Sequence, residues 1–494
     1  MFLRFCFRLI MNNIAEIVLF LYKTGESMLD ATIRPYLVQA VCRDMFHDNM
    51  SMCNSTHRFY SVQNDVQSNA ARYLMYYRIL VSIPAVLLGL LCGAWSDRNG
   101  RKFPMMVPGI GSVLAVIVYL ISMQYEELAL PLILIGAATQ GIFGKSAVIT
   151  MAVNSYASDI SDSDQRTQKL GRLLAMNFMG LFVGSLLSGT IQDAANIQIT
   201  LCVVSAFHAL SVLAVVFCMP ESIPEQTREK DTDSSCTLFS FSGMKQSLVV
   251  LCKERKENSR MILIILFICS IINQTCKVGD ADVTVLFVQR SPLFWPESWY
   301  GYLLSMDYAV MGVCLLLFLP LLSNVFTLPD ITIMTIGIFC KLVRSIWAGF
   351  CSESWMVYTS VVIGSMAGMI SSVIRSLMSK HVQEDELGKT FSLLASGETG
   401  SKLLGSVIFT NIYGASVYFF PGFSYMIEAV LYLVMFWMMV WLYREIQFNS
   451  NYNLLLAFAD KRDYGTDDLD KSGKEIDEIT SEPIFPQPLP ATTP

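Results

Sequence analysis

Charge is scarce in this chain. Only 15% of its 494 residues are Asp, Glu, Lys or Arg, against roughly 25% in a soluble domain. Histidine is scarcer still, with 4 copies. There is no Cys-x-x-Cys pair and no Cys/His zinc spacing, so a metal cofactor has no ligand set to build on. No His-x4-Asp pair is present, which removes a membrane acyltransferase and leaves no enzyme chemistry to assign. Without a basic domain there is no footing for a nucleic-acid partner. The 13 cysteines lie mostly in apolar runs, where they act as small buried residues. Met1–Met11 carries Arg4 and Arg8 but no cleavage site, so residues 1–13 read as a cytoplasmic lead-in.

What the chain has in quantity is apolar surface, 53% of residues, gathered in runs. Twelve runs fall at about 14–40, 70–95, 104–124, 128–157, 169–190, 198–219, 260–288, 299–321, 331–350, 355–380, 390–416 and 420–444. Each approaches the roughly 20 residues that cross a bilayer. They predict an all-α membrane protein of twelve transmembrane helices in two six-helix bundles, 14–219 and 260–444. A polar linker of mixed charge, 220–259, joins the halves. Its start, Pro220-Glu221-Ser222-Ile223-Pro224, partly resembles a sugar-porter signature but lacks the arginine. The acidic tail 445–494 ends in prolines and is expected to be disordered. Within it, Tyr452-Asn-Leu-Leu455 has the form of a tyrosine sorting signal.

Loop charge sets the orientation. Arg98, Arg101, Lys102, Arg166, Lys169 and Lys389 fall in loops of one side, while most opposite loops hold only Arg290. Both termini are therefore expected in the cytoplasm. Loop 41–69 then faces outward, with sequons at Asn49 and Asn54 where glycosylation is possible. Cys42 and Cys53 share that loop, where an oxidising space would let them pair.

The stretch Gly93-Ala-Trp-Ser-Asp97-Arg98-Asn99-Gly100-Arg101-Lys102 lies between the second and third runs. Its glycines permit a tight backbone, and Asp97 is placed to pair with Arg98 or Arg101. It resembles the loop 2–3 signature of the major facilitator superfamily at Gly93, Asp97, Arg98, Gly100, Arg101 and Lys102. That resemblance implies pseudo-symmetric bundles, a midplane substrate site and alternating access.

Charges inside the runs cost roughly 2.5–3.5 kcal/mol each at the bilayer centre. Glu16, Lys23, Glu26, Asp30 and Arg34 fall on one stripe of the first run, which must face protein or water. It reads equally as a self-neutralising ladder or a transport pathway. Lys145 stands alone in the fourth run. In the fifth, Gly180 and Gly184 read as a packing face. The seventh places Asn273, Lys277, Asp280 and Thr284 on one face, with Lys277 and Asp280 able to pair, Asp282 pointing elsewhere and a break plausible at Gly279. Lys341 and Arg344 lie mid-span in the ninth. Arg375 in the tenth has Ser371, Ser372, Ser376 and Ser379 within a turn. Glu398 and Lys402 are spaced as an i,i+4 pair in the eleventh. Mid-membrane cations outnumber acids outside the first run, which favours an anionic substrate.

Several stretches resemble solute carrier family 46, the proton-coupled folate transporter group. They are Val18–Tyr22, Asp159–Thr167, Asp282–Trp295 with Tyr300–Tyr302, and Val373–Lys380 with Gly388–Ser392. The resemblance implies import of an organic anion of folate-like, steroid-conjugate or muropeptide class, with a coupling proton in some members and no other cofactor. It matches Arg375 and Asp282 to family positions in substrate and proton handling. Lys145 replaces an aspartate and Lys277 a histidine of folate-carrying members, and their fifth-helix glutamate has no counterpart. Phe294 replaces a cysteine that pairs with the first outer loop, which implies a Cys42–Cys53 bridge instead.

The expected site is thus Arg375, Lys277, Lys145 and Asn273 for the anion, with Glu26, Asp30, Asp280 and Asp282 as proton or charge relay. A carboxylate among cations holds its charge, which weakens the relay. The expected partners are the solute and the lipid bilayer, for a monomer or weak oligomer in the plasma membrane, with the lysosomal membrane as alternative. A facilitative sugar porter and a non-transporting receptor or scaffold are the rival readings.

Overall fold

The computed structural model describes residues 13–46, 60–160, 163–222, 259–290, 292–382 and 384–463. All regular structure among them is helical. The first half contains α1 (Ile14–Met45), α2 (Tyr60–Asn99), α3 (Lys102–Ser122), α4 (Ala129–Ile142), α5 (Lys145–Asp159), α6 (Ser163–Ala194) and α7 (Ile197–Cys218). The second contains α8 (Ser259–Val288), α9 (Glu297–Val313), α10 (Asp330–Gly349), α11 (Ser354–Gly364), α12 (Gly368–Lys380), α13 (Glu384–Ser416) and α14 (Phe423–Asp463). Two compact units divide at Met438/Met439. The second contains the end of α14; the contacts and sites described below lie within the first.

Local chemistry explains where the helices depart from the apolar runs. The fourth run becomes α4 and α5 because Gly144 has φ +84° and Lys145 φ 39°, a backbone that interrupts a right-handed helix. The eighth run continues α9 through π-helical turns, Cys314–Phe318 and Leu321–Val325, on either side of Pro320, whose missing N–H disturbs the ladder. A 3₁₀ turn, Ser365–Ala367, separates α11 from α12. No break occurs at Gly279: α8 is continuous, and the glycine lets Phe409 of α13 approach. Helix α14 runs on through 445–463, a stretch expected to be disordered, and includes Tyr452–Leu455. Asn49, Asn54, Cys53 and most of the linker fall outside the described residues.

Ten stretches among the described residues are long and apolar enough to cross a membrane. Helices α1 and α13 are not among them. Seven charged residues thin the hydropathy of α1, and glycine, serine and threonine thin that of α13.

Small residues let the helices touch. A Cβ on Gly184 of α6 would meet the Thr24 carbonyl oxygen of α1 at 2.2 Å, and one on Gly180 would meet that of Phe20 at 2.8 Å. The packing role expected of these glycines is what the structure shows. Hydroxyls complete the seam, with Ser27 donating to the Leu181 carbonyl at 2.8 Å and Thr32 meeting Ser188 at 3.0 Å. His208, the one buried histidine among the described residues, packs its ring edge-on to Tyr22 with centroids 4.9 Å apart.

Gly184→Ala is expected to cost about 1–3 kcal/mol through overpacking and to lower the melting temperature in detergent. Gly171→Ala on the same helix, where nothing lies within 4 Å, should leave it unchanged or slightly higher. Equal melting curves for the two variants would refute this account of the seam.

Candidate functional site

In a helix bundle that excludes water, each buried charge needs a partner. The partners here cluster into groups. The central group joins the two halves. Asp282 of α8 has no exposed surface. Arg78 of α2 donates to it from Nη2 at 2.6 Å and from Nε at 2.9 and 3.0 Å. Arg34 of α1 lies 3.6 Å away, and Ser406 of α13 donates at 2.6 Å. Arg34 also donates to Asp30 at 3.1 Å and to the Tyr300 hydroxyl of α9 at 3.3 Å. Lys145 of α5 donates to the other oxygen of Asp30 at 2.8 Å. The kinked backbone at Gly144–Lys145 starts α5 on the residue that makes this reach. Three cations share two carboxylates.

This arrangement changes several expectations. Asp282 does not point away; it is the hub. Lys145 is paired, so it is not a free anion ligand in this conformation. The α1 stripe is partly a ladder, with Lys23 on Glu26 at 2.9 Å and Asp30 on Arg34 at 3.1 Å. Lys23 also donates to Ser146. Glu16 is buried, and neither carboxylate oxygen has a hydrogen-bond partner.

A second group lies inside the second half. Asp280 pairs with Arg344 and, at 3.6 Å, with Lys341, both of α10. It does not pair with Lys277, because α8 turns the two side chains to different surroundings. Asn273 is 4% exposed. It donates to Ser371 at 3.4 Å and accepts from Tyr432 at 3.5 Å, so it is not presented to a solute. Glu428 of α14 is also buried and had no signal beyond its residue type.

The third group lines an accessible surface. Arg375 of α12 pairs with Glu398 of α13 at 2.9 Å while keeping 50% of its side chain exposed. Glu398 also accepts from Ser270 at 3.0 Å. The expected Glu398–Lys402 pair is therefore replaced. The serines around Arg375 are engaged elsewhere: Ser376 donates to Asp330 at 3.0 Å and Ser379 to the Ser376 carbonyl at 2.7 Å. Lys277 and Lys402 are exposed, yet each lies deep among protein atoms. Neither has an ion pair or hydrogen bond among the described residues. Asp307 of α9 is the opposite charge that acts most strongly on Lys277, and Glu398 the one that acts most strongly on Lys402.

Polar contacts between the halves gather toward one end, the end that carries loop 41–69. Asn64 accepts from Arg290 at 2.8 Å, Tyr418 donates to Asp65 at 2.9 Å, and Tyr302 donates to Asp193 at 2.6 Å. There, a Cβ on Gly301 of α9 would meet the Gly189 nitrogen of α6 at 2.8 Å. Cys42, also at this end, is disulfide-bonded.

At the opposite end, Gly100 has φ +119°. Arg101 donates to Asp159 at 2.9 Å and to Ser96 at 2.7 Å, and its backbone N–H donates to Glu221 at 2.6 Å. Lys102 reaches the Val216 carbonyl at 3.3 Å. The motif thus ties α2 and α3 to the ends of α5 and α7. The side chains of Asp97 and Arg98 lie outside the described set, as does any contact at Gly93.

A profile of the Major Facilitator Superfamily matches residues 75–405. The Gallus gallus lysosomal proton-coupled steroid conjugate and bile acid symporter SLC46A3 is 23% identical over 441 residues, 87% of this chain and 93% of its own. The Rattus norvegicus proton-coupled folate transporter is 24% identical over 373 residues, 76% of this chain and 79% of its own. These relatives are transporters, not enzymes. Among solved structures, the human organic anion transporter MFSD10 superposes with a TM-score of 0.58 at 13% identity, over 88% of this chain and 99% of that one. That likeness concerns the fold.

Removing one partner of a buried ion pair leaves an uncompensated charge, at about 3–5 kcal/mol. Asp282→Ala should therefore lower the melting temperature sharply, and Arg78→Met/Asp282→Met should recover much of the loss. Additive losses in the double variant would show that the two residues are not coupled.

Proposed function

This chain belongs to the major facilitator superfamily, and on that premise we propose that it moves a small organic anion into the cytosol by alternating access. The observation that carries the reading is the pair of exposed lysines, Lys277 and Lys402, on an internal surface beside Arg375. Two cations that repel each other without a carboxylate in contact are best stabilised by a bound anion. The chain's similarity to solute carrier family 46 supports the same class, since the relatives' names specify steroid conjugates, bile acids and folate.

The roles follow from the contacts. Lys277 and Lys402 attract the anion. Arg375, already on Glu398, supplies a planar donor that a carboxylate or phosphate could share. The end carrying loop 41–69 is the extracellular or lumenal end, so its cross-half contacts describe a state closed outward. α1 and α13 complete twelve spans, with their charged faces toward the interior. To open outward, the halves must separate at Asp282. A proton delivered to Asp282 or Asp30 would weaken their hold on Arg34, Arg78 and Lys145, which couples a proton to the change of state. No other cofactor is called for. The membrane is the plasma membrane or the lysosomal one, as the name of the chicken relative suggests.

The test is uptake of labelled steroid sulfates, bile acids and folates by oocytes expressing the chain at their surface, at pH 5.5 and 7.4. Wild type should accumulate at least one of these anions, more strongly at pH 5.5. Lys277→Ala should lose most uptake, and Lys277→Arg should keep more of it. Uptake undiminished in Lys277→Ala and Arg375→Ala would end the anion-site assignment, and uptake indifferent to pH would end the coupling.

A further inference from the structure

Beyond the Arg34–Asp282–Arg78 contacts, at the end carrying loop 41–69, lies a cavity of about 1010 Å³. Neither Lys277 nor Lys402 lines it, so it is separate from the proposed anion surface. Such a volume is at the upper end of the roughly 300–1,000 Å³ range of small-molecule sites. Both halves build it. Tyr36 and Gln63 come from α1 and α2, and the second half contributes the turn that leads from α8 to Glu297 of α9.

That turn is held by the protein itself. The Leu293 and Phe294 N–H groups donate to the Arg290 carbonyl at 2.9 and 3.0 Å, and that of Trp295 to the Val288 carbonyl at 3.0 Å. Phe294 has φ 45°, a backbone that a residue other than glycine keeps only where its surroundings fix it. The Trp295 indole donates to Ser354 at 2.8 Å and stacks on Tyr358 with centroids 5.3 Å apart. Arg290 crosses to the first half and donates to Asn64 at 2.8 Å. The turn thus sets Phe294, Trp295 and Glu297 on the lining.

Charge narrows the occupant. Glu126, Asp193 and Glu297 lie on the lining with one cation, Arg43. Two of these acids are engaged, Glu126 by Arg43 at 3.4 Å and Asp193 by the Tyr302 hydroxyl at 2.6 Å. Glu297 has no ion pair or hydrogen bond among the described residues. A second group independently lacks a partner. Gln63 is 5% exposed and makes no hydrogen bond among the described residues. The amide oxygens of Gln67, Gln192 and Gln289 on the same lining are sealed from any occupant, but the amide of Gln63 keeps its surface. A carboxylate and an amide oxygen both accept from a cationic N–H. A bare metal ion does not fit, because no three His, Cys, Asp or Glu side chains converge among the described residues. Tyr36, Phe294 and Trp295 add aromatic surface, whose ring faces attract an ammonium ion.

We propose that this cavity binds an organic ammonium ion, an amine with an apolar body, through the Glu297 carboxylate of one half and the Gln63 amide of the other. The site does not depend on the anion assignment at Lys277. A ligand that touches both halves binds best while they meet, so its occupancy stabilises the closure at this end.

The test uses purified full-length protein in phosphatidylcholine nanodiscs, with phenethylamine as the probe and 2-phenylethanol as its uncharged analogue. Saturation-transfer NMR, corrected for empty nanodiscs, reads the contact, and titration gives the affinity. Phenethylamine should bind saturably, and 2-phenylethanol about tenfold more weakly or worse. Glu297→Gln and Gln63→Leu, one in each half, should each weaken the amine about tenfold, for one lost hydrogen bond to a charged group. Glu297 is half-buried, so its variant serves if Gln63→Leu does not fold. The proposal is overturned if phenethylamine does not bind saturably, if 2-phenylethanol binds as tightly, or if a folded variant binds the amine as tightly as wild type.

Discussion

A carboxylate with no exposed surface, Asp282, is held between an arginine from α1 and another from α2, while a serine from α13 donates to it. Neither half can satisfy these charges alone. Arg34 and Arg78 belong to the first half and Asp282 to the second, so the ion pairs exist only while the halves meet. A buried charge that loses its partner is expensive in a dry interior. Separation therefore requires water, a proton or an anion to replace the contact. The glycine contact between Gly189 and Gly301 adds a steric component to the same closure.

The fold was largely legible because apolar run length and loop charge act locally. The all-helical membrane fold, the motif at Gly93–Lys102 and the packing glycines of α6 can be read from residues near one another in the chain. Pairing could not be read so well. Lys277 and Asp280 lie three apart on one helix, which suggests a pair, but α10 brings Arg344 and Lys341 to Asp280. Glu398 and Lys402 have ideal spacing, but α12 brings Arg375 to Glu398. In each case a charge on another helix displaces the local partner, and sequence spacing carries no information about which helix arrives. Arg78 has no acid within its own run to signal a pair, and its significance appears only with Asp282 opposite. The break at Gly144 has its signal in the glycine itself, which supplies a positive φ.

Two kinds of surface emerge along the same axis. Inside the closed contacts, Lys277 and Lys402 make no ion pair among the described residues, which is the observation behind the proposed anion site. Outside them, at the end carrying loop 41–69, glutamines and three carboxylates line the cavity. The charge order also makes sense for passage: a mildly acidic mouth does not trap the anion, and the cations that do attract it lie beyond the Asp282 contacts.

Asp282 holds the two halves together and so keeps the end carrying loop 41–69 closed. Spin labels introduced through unnatural amino acids at Ala195 and Phe419, both exposed at that end, allow the separation to be measured by pulsed electron resonance. Wild type should give one short, narrow distance distribution, and Asp282→Asn should add a longer population. Identical distributions in the folded variant and the wild type would contradict the account.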